Sequence, residues 1–216
     1  MTDTCLDEDP APDEAPEFVS DQATVLVIAC GALAREIVDL IRINKWQHMA
    51  VTCLPAKLHN EPQKIPDRLR EKIRANKDRY ERIFVAYADC GTGGLLDRVV
   101  DGEGAVRIGG PHCYSFFAGS DAFDAMAEEE LGTFYLTDYL ARHFETLILD
   151  GMGLRKYPQM RDMLFGNYTR LMYLAQTDDP ALDRKARAAA ESLGLRFEKR
   201  QTGYGELAAF MADAAN

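Results

Sequence analysis

Residues 24–46 read TVLVIACGALAREIVDLIRINKW, and the change of rhythm inside this stretch decides the fold. Thr24 to Cys30 is a continuous apolar, β-branched run of strand length. Such a run, with no polar alternation, suits a strand covered on both faces, as in a parallel sheet. Directly after it, Leu33, Ile37, Leu40 and Ile41 recur at helical spacing.

The same pattern then repeats. Met49 to Leu54 reads as a second strand, followed by a Pro-punctuated loop and a basic amphipathic helix over Ile65 to Tyr80. Arg82 to Cys90 is a third strand, leading through Gly91-Thr92-Gly93-Gly94 into the short helix LLDRVV. Ala105 to Ile108 is a fourth strand, Thr169 to Gln176 a fifth and Leu195 to Lys199 a sixth, with a closing helix over Glu206 to Ala215. Between the last two strands, Asp179 is placed to cap a helix with Pro180 at its first position and Gly194 at its end. Alternating strands and helices predict an α/β fold, a doubly wound, mostly parallel, Rossmann-like sheet. Residues 21–216 are expected to form a single α/β domain. Residues 114–165 read as a helical insertion over one edge or the mouth of its sheet.

Composition narrows the function. A net charge of −10 opposes binding to nucleic acid or to an anionic membrane. No apolar run approaches the roughly 20 residues that span a bilayer. The acidic, Pro-rich start has neither a basic nor an apolar leader segment, so residues 1–20 are expected to be a disordered acidic tail and the location cytoplasmic. Five cysteines in such a chain point to free thiols, and so to metal binding or catalysis rather than a disulfide framework.

In open α/β sheets ligands bind beyond the carboxyl ends of the strands. Cys30 and Cys90 end the first and third strands, Cys113 follows the fourth, and His59 lies in the loop after the second. Right-handed crossovers bring these ends to one edge of the sheet. Three thiols and an imidazole suit tetrahedral zinc, and an iron–sulfur cluster is the alternative. A full shell of this kind leaves no open position, so catalysis would require one ligand to exchange, with His59 on its Pro-flanked loop the natural one. A metal-free reading makes Cys90 a thiolate nucleophile, its pKa lowered at a helix N-terminus, with His59 or His112 as base. No catalytic residue is assigned.

Other candidates have plainer readings. Cys53 is core, though near enough to His59 to substitute as a ligand, and Cys5 lies in the tail. His112 is a secondary ligand candidate, whereas His48 and His143 read as surface residues. The Gly91–Gly94 loop offers backbone N–H groups to an anion or phosphate of a cofactor, or is a tight turn. It is not a P-loop, and the G-x-G-x-x-G and corrinoid-type D-x-H-x-x-G patterns are absent. Gly132–Asp138 and Phe165–Thr169 either cap and turn or line a pocket. Glu128, Glu129 and Glu130 read as a solvated helix face.

The motifs IACGALAREI (28–37), LHNEP (58–62), YADCGTGG (87–94), GPHCY (110–114) and GTFYLTDYL (132–140) resemble a bacterial and archaeal family classed as a domain of unknown function. The resemblance implies that Cys30, His59, Cys90, Cys113, the Gly91 loop and Gly132–Asp138 are motif positions. Members are often encoded near corrinoid-dependent methyltransferases. The resemblance therefore implies a role in one-carbon or methyl-transfer metabolism, with a small-molecule substrate and a corrinoid or methyltransferase protein as partner. Either the chain is a zinc-dependent methyl- or thiol-group transferase component, or it is a non-catalytic accessory protein with a structural metal or cluster.

Overall fold

Every residue of Val25–Cys30 and of Met49–Leu54 is buried, as two apolar runs must be when helices cover both faces of their sheet. In the computed structural model, which describes residues 11–216, the chain divides into two compact units. One runs to Cys113 and takes up Glu206–Asn216; the other is Tyr114–Gly205.

The first unit contains β1 (Glu17–Phe18), β2 (Val25–Cys30), α1 (Ala34–Asn44), β3 (Met49–Leu54), α2 (Ile65–Asn76), β4 (Arg82–Ala86), α3 (Leu95–Glu103) and β5 (Val106–Arg107). Its sheet has the order β1-β3-β2-β4-β5. β3, β2, β4 and β5 are parallel, with Ala29 opposite both Cys53 and Ala86. The chain leaves β2 for β3 on one side, then crosses back to β4 on the other. A switch of this kind opens a crevice between the ends of β2 and β4, where ligands of such sheets bind. The last helix, Gly205–Ala215, docks on this sheet, with Phe210 edge-on to Phe84 and the Ala215 carbonyl 3.1 Å from His48 Nε2. His48 is thus an anchor for that helix.

The expected disordered tail needs correction within the described residues. Residues 1–10, Cys5 among them, lie outside those described. Glu17–Phe18 pairs antiparallel with β3, Cys53 N–H donates to the Pro16 carbonyl at 3.0 Å, and the Thr52 hydroxyl donates to Glu17 Oε1 at 2.7 Å. The physical reason is that β3 would otherwise be an open edge with unpaired backbone groups.

The second unit contains α4, which begins at Cys113 and runs to Ala118, then α5 (Ser120–Glu129), β6 (Thr133–Leu136), α6 (Asp138–Arg142), α7 (Met160–Phe165), β7 (Arg170–Ala175), α8 (Pro180–Leu193) and β8 (Arg196–Gln201), with a π-helical turn over Glu145–Asp150. The order β6-β7-β8 is all parallel. Here the expectation of one sheet gives way to two. The strands expected around residues 169–176 and 195–199 belong to a separate sheet, and the segment 114–165 is not wholly helical because it supplies β6. TFYL is aromatic and β-branched, but its flanking polar residues hid it among turn and cap residues. The predicted caps of α8 form: Asp179 accepts from Ala181 N–H at 2.7 Å, and Gly194 takes the left-handed φ of +73°.

The polar segments of this unit turn out to be internal locks. Thr137 caps α6 by accepting from Leu140 N–H at 3.3 Å. Asp138, fully buried, accepts from the Tyr173 hydroxyl at 2.7 Å and from the N–H groups of Gln176 at 3.1 Å and Thr177 at 3.0 Å. Its carboxylate ties the end of β6 to the end of β7. Glu130 is not simply a solvated residue, because it pairs with Arg196 at 2.7 Å and with the buried Arg170 at 3.4 Å. Glu198 gives Arg170 a second carboxylate at 3.1 Å, as a buried cation requires.

Candidate functional site

Cys30 closes β2 and accepts from Ala32 N–H at 3.4 Å, which turns the chain into a short 3₁₀ segment before α1. Gly31 keeps the turn close. A Cβ there would stand 3.3 Å from both the Ala56 nitrogen and the Leu54 carbonyl, so a side chain would push the segment after β3 back by a few tenths of an ångström. That segment carries His59. Its Nδ1 lies 2.8 Å from the Ala56 carbonyl. A carbonyl only accepts, so Nδ1 carries the proton and Nε2 keeps a lone pair. Burial holds His59 below its ordinary pKa, further favouring neutral imidazole.

β4 ends at Ala86, and Tyr87, Ala88, Asp89 and Cys90 continue beyond it as loop rather than strand. Pairing goes on irregularly. Asp89 N–H donates to the Gly110 carbonyl and Cys90 N–H to the Pro111 carbonyl, each at 3.0 Å. These bonds bring the GPHC turn, and Cys113 with it, beside Cys90. Cys90 has φ of +48°, a left-handed conformation uncommon outside glycine and often found where side-chain function outweighs strain.

Cys30, Cys90 and Cys113 thereby enter one another's electrostatic range, with the buried Glu36 of α1 felt at Cys30 and Cys113. Burial pushes the Cys30 and Cys90 thiols up to about 12 and raises Cys113 well above the ordinary thiol range. The neighbouring thiols add to the rise at Cys90 and Cys113. This overturns the low thiolate pKa expected of Cys90. The helix after it starts only at Leu95, so no helix terminus stabilises the thiolate, and the desolvation cost wins.

At the centre stands Tyr87, which reasoning from sequence did not single out. It is fully buried, its ring stacks on His59 with centroids 5.7 Å apart and planes at 15°, and its carbonyl accepts from Arg107 Nη1 at 2.9 Å. Burial pushes its hydroxyl far above the ordinary phenol range, and the thiols of Cys30, Cys90 and Cys113 add to the rise. Glu36 was missed too. Its signal was a charge lying three after Leu33 and four before Leu40, inside the apolar stripe of α1.

The glycine loop has an internal anion of its own. Asp89 accepts from Gly93 N–H at 3.0 Å, Gly94 N–H at 2.7 Å and the Thr92 hydroxyl at 2.7 Å. The amides expected to hold a phosphate at Gly91, Thr92, Gly93 and Gly94 are thus already engaged at Gly93 and Gly94, and the loop works as a turn. Burial alone would raise the Asp89 carboxyl. The bonds from Gly94, Thr92 and Gly93, with Arg107 nearby, outweigh burial and hold it below the usual carboxylate range. A folded pKa below the unfolded value of about 3.9 means the loop's stabilisation is present above that pH and is lost as pH falls through the folded value. Protection of the Gly93 and Gly94 amides, taken relative to their intrinsic exchange rates, is expected to fall as the pH drops below about 4, and an Asp89→Ala variant to show low protection at every pH. Equal protection in the two proteins would show that the carboxylate does not order the loop.

By chemistry, the donor set fits a soft metal: three thiols and an imidazole whose other nitrogen is fixed by a carbonyl. By spacing, no three His, Cys, Asp or Glu side chains are drawn into a coordination shell among the described residues. Holding an ion there would require the donors to close in. Cys53 stays in the core, fully buried in β3, with its thiol raised by burial and by Cys30. His112 lies near enough to be felt by His59.

A family model described as "Protein of unknown function (DUF1638)" matches residues 53–211. The matched span includes His59, Tyr87, Cys90 and Cys113, but Cys30 and the IACGALAREI stretch precede it. No curated protein and no solved structure matches the chain. Among the described residues no helix is long and apolar enough to cross a membrane.

Proposed function

We propose, from the premise that this chain belongs to the DUF1638 family of proteins of unknown function, that Cys30, Cys90, Cys113 and His59 hold a thiophilic metal. Zinc is the first choice and an iron–sulfur cluster the alternative. The observation that carries the reading is that three thiols lie within electrostatic reach of one buried phenol at the switch between β2 and β4. Thiols serving only as core filler have no cause to collect at the ligand-binding edge of a parallel sheet.

The site's place in metabolism is proposed from the motif resemblance: methyl or thiol-group transfer on a small-molecule substrate in the cytoplasm, beside a corrinoid or methyltransferase protein. When bound, an ion of this kind supplies Lewis acidity and favours the thiolate form of a coordinated thiol. His59 presents Nε2 because the Ala56 carbonyl occupies its other nitrogen. Cys90 is half-buried and sits on a loop beyond the strand end rather than within the sheet, which favours an exchanging site over a purely structural one.

Elemental analysis of protein purified without chelator tests the reading. About one equivalent of zinc, or of iron for a cluster, is expected in the wild type, with most of it lost in Cys90→Ser. Less than about half an equivalent in the wild type, or unchanged content in the variant, would remove the proposed site.

A further inference from the structure

At the end of the first sheet opposite the thiols, beside the start of β2, the chain leaves a groove of about 680 Å³. Its walls come from two segments only, residues 18–22 before β2 and residues 41–47 at the end of α1. A volume of this size suits a small organic molecule. Phe18, Val19, Ile41 and Trp46 give the groove an apolar lining. Its charge is locally positive, since Arg42 and Lys45 stand against the single carboxylate of Asp21. On a chain of net charge −10 such a place is the exception.

Both walls are held by the fold. β1 sets Phe18 opposite Val51 of β3, and the Arg42 guanidinium lies 6.0 Å over the Phe18 ring. On the other wall the chain turns at Lys45, whose φ is the left-handed +56°. The turn is fixed by Lys45 N–H donating to the Arg42 carbonyl at 3.2 Å and Trp46 N–H to the Ile41 carbonyl at 3.1 Å. Helices commonly end in this conformation, but on glycine, which adopts it without strain. A lysine here is strained, and what it adds over glycine is an ammonium at the groove.

We propose that this groove binds a small carboxylic acid with an aromatic body, its ring against Trp46 and Ile41 and its carboxylate on the Lys45 ammonium. The lining selects that class. Apolar walls alone would take a neutral hydrocarbon, and cations alone an inorganic anion; the two together suit an amphipathic anion. Trp46 and Phe18 offer ring faces and edges, which favour an aromatic body over an alkyl chain. A phosphate is best met by a helix N-terminus or a free bidentate guanidinium. Here α1 presents its carboxyl end, whose partial negative charge weighs more against a dianion than against a carboxylate, and Arg42 lies over Phe18. The groove shares no residue with the thiol site, so neither reading depends on the other.

Trp46 is the chain's one tryptophan, so its emission reports directly from the groove. The full chain is titrated with phenylbutyrate, with phenylbutanol as its neutral counterpart, and with inorganic phosphate. Phenylbutyrate is expected to change the Trp46 emission saturably with a Kd below about 1 mM, phenylbutanol to bind several-fold more weakly, and phosphate not to compete. Lys45→Gly removes the ammonium where glycine is unstrained. It should melt no lower than wild type, bind phenylbutyrate roughly 10-fold more weakly and leave phenylbutanol binding unchanged. Lys45→Arg keeps the charge and should retain most of the affinity. A wild type without a saturable response, equal affinity for acid and alcohol, or competition by phosphate would each overturn the proposal. So would undiminished phenylbutyrate binding by Lys45→Gly, or a melting point several degrees below wild type in that variant.

Discussion

Replacing Asp138 by alanine is expected to destabilise the second unit by roughly 3–5 kcal/mol, a large fraction of a domain's stability. The carboxylate is fully buried, and its oxygens accept from Tyr173 Oη, Gln176 N–H, Thr177 N–H and the Thr177 hydroxyl. Removing it leaves those donors without their acceptor, and a buried donor so stranded costs about 1–3 kcal/mol. Arg142, 3.8 Å away on the same helix, loses a countercharge as well. Asp138→Asn should cost less, because it keeps the shape and one acceptor oxygen but turns an amide donor toward donors. Urea titration followed by far-UV circular dichroism measures the loss. Trp46, the chain's one tryptophan, lies in the first unit, so its fluorescence follows that unit separately. A change under about 1 kcal/mol would mean that water or a rearranged loop replaces the carboxylate.

The second large effect is alkaline lability of the metal-free first unit. Cys30, 4% exposed, has its thiol pushed up to about 12 by burial, and Cys53, with no exposed surface, is raised further by burial and by Cys30. An unfolded thiol titrates near about 8.5. Below that pH both states hold the proton, and the raised folded pKa has no cost. Above it the unfolded chain ionises while the folded one cannot, so stability falls by about 1.4 kcal/mol per pH unit per thiol until the folded thiol itself titrates. At pH 10 these two thiols should have removed about 4 kcal/mol, with the raised thiols of Cys90 and Cys113 adding to the loss. Urea midpoints from Trp46 fluorescence at pH 8 and pH 10, in reducing, metal-free buffer, read this directly. Cys53→Ala should lower the slope by one thiol's share, about 1.4 kcal/mol per pH unit, whatever its cost at pH 8. A flat profile would show that water reaches these thiols in the folded protein.

The first sheet was legible because its message is local. The unbroken apolar runs ending at Cys30 and at Leu54, each followed by a polar loop, can be buried only as central parallel strands. The helix after Cys30 announced itself by its stripe, and α8 by Asp179, Pro180 and Gly194. The second sheet was not legible. Nothing local says which sheet a strand joins, and β6 is only four residues long, between a turn and a capping threonine. β1 was hidden for a similar reason. Two residues in an acidic, Pro-rich segment have no strand pattern, and they are ordered by the open edge of β3.

For the candidate site, residue types and their positions after successive strands were enough to nominate Cys30, His59, Cys90 and Cys113. What only the tertiary structure decided was their surroundings. It put Tyr87 among the thiols and Glu36 near two of them, gave the glycine loop to Asp89, and raised the Cys90 thiol where a lowered one was expected. Periodicity and spacing along a chain fix which side chains leave a strand end together. Burial, the partner of each N–H, and the pKa of a thiol depend on atoms brought in from distant segments, and no local pattern encodes them.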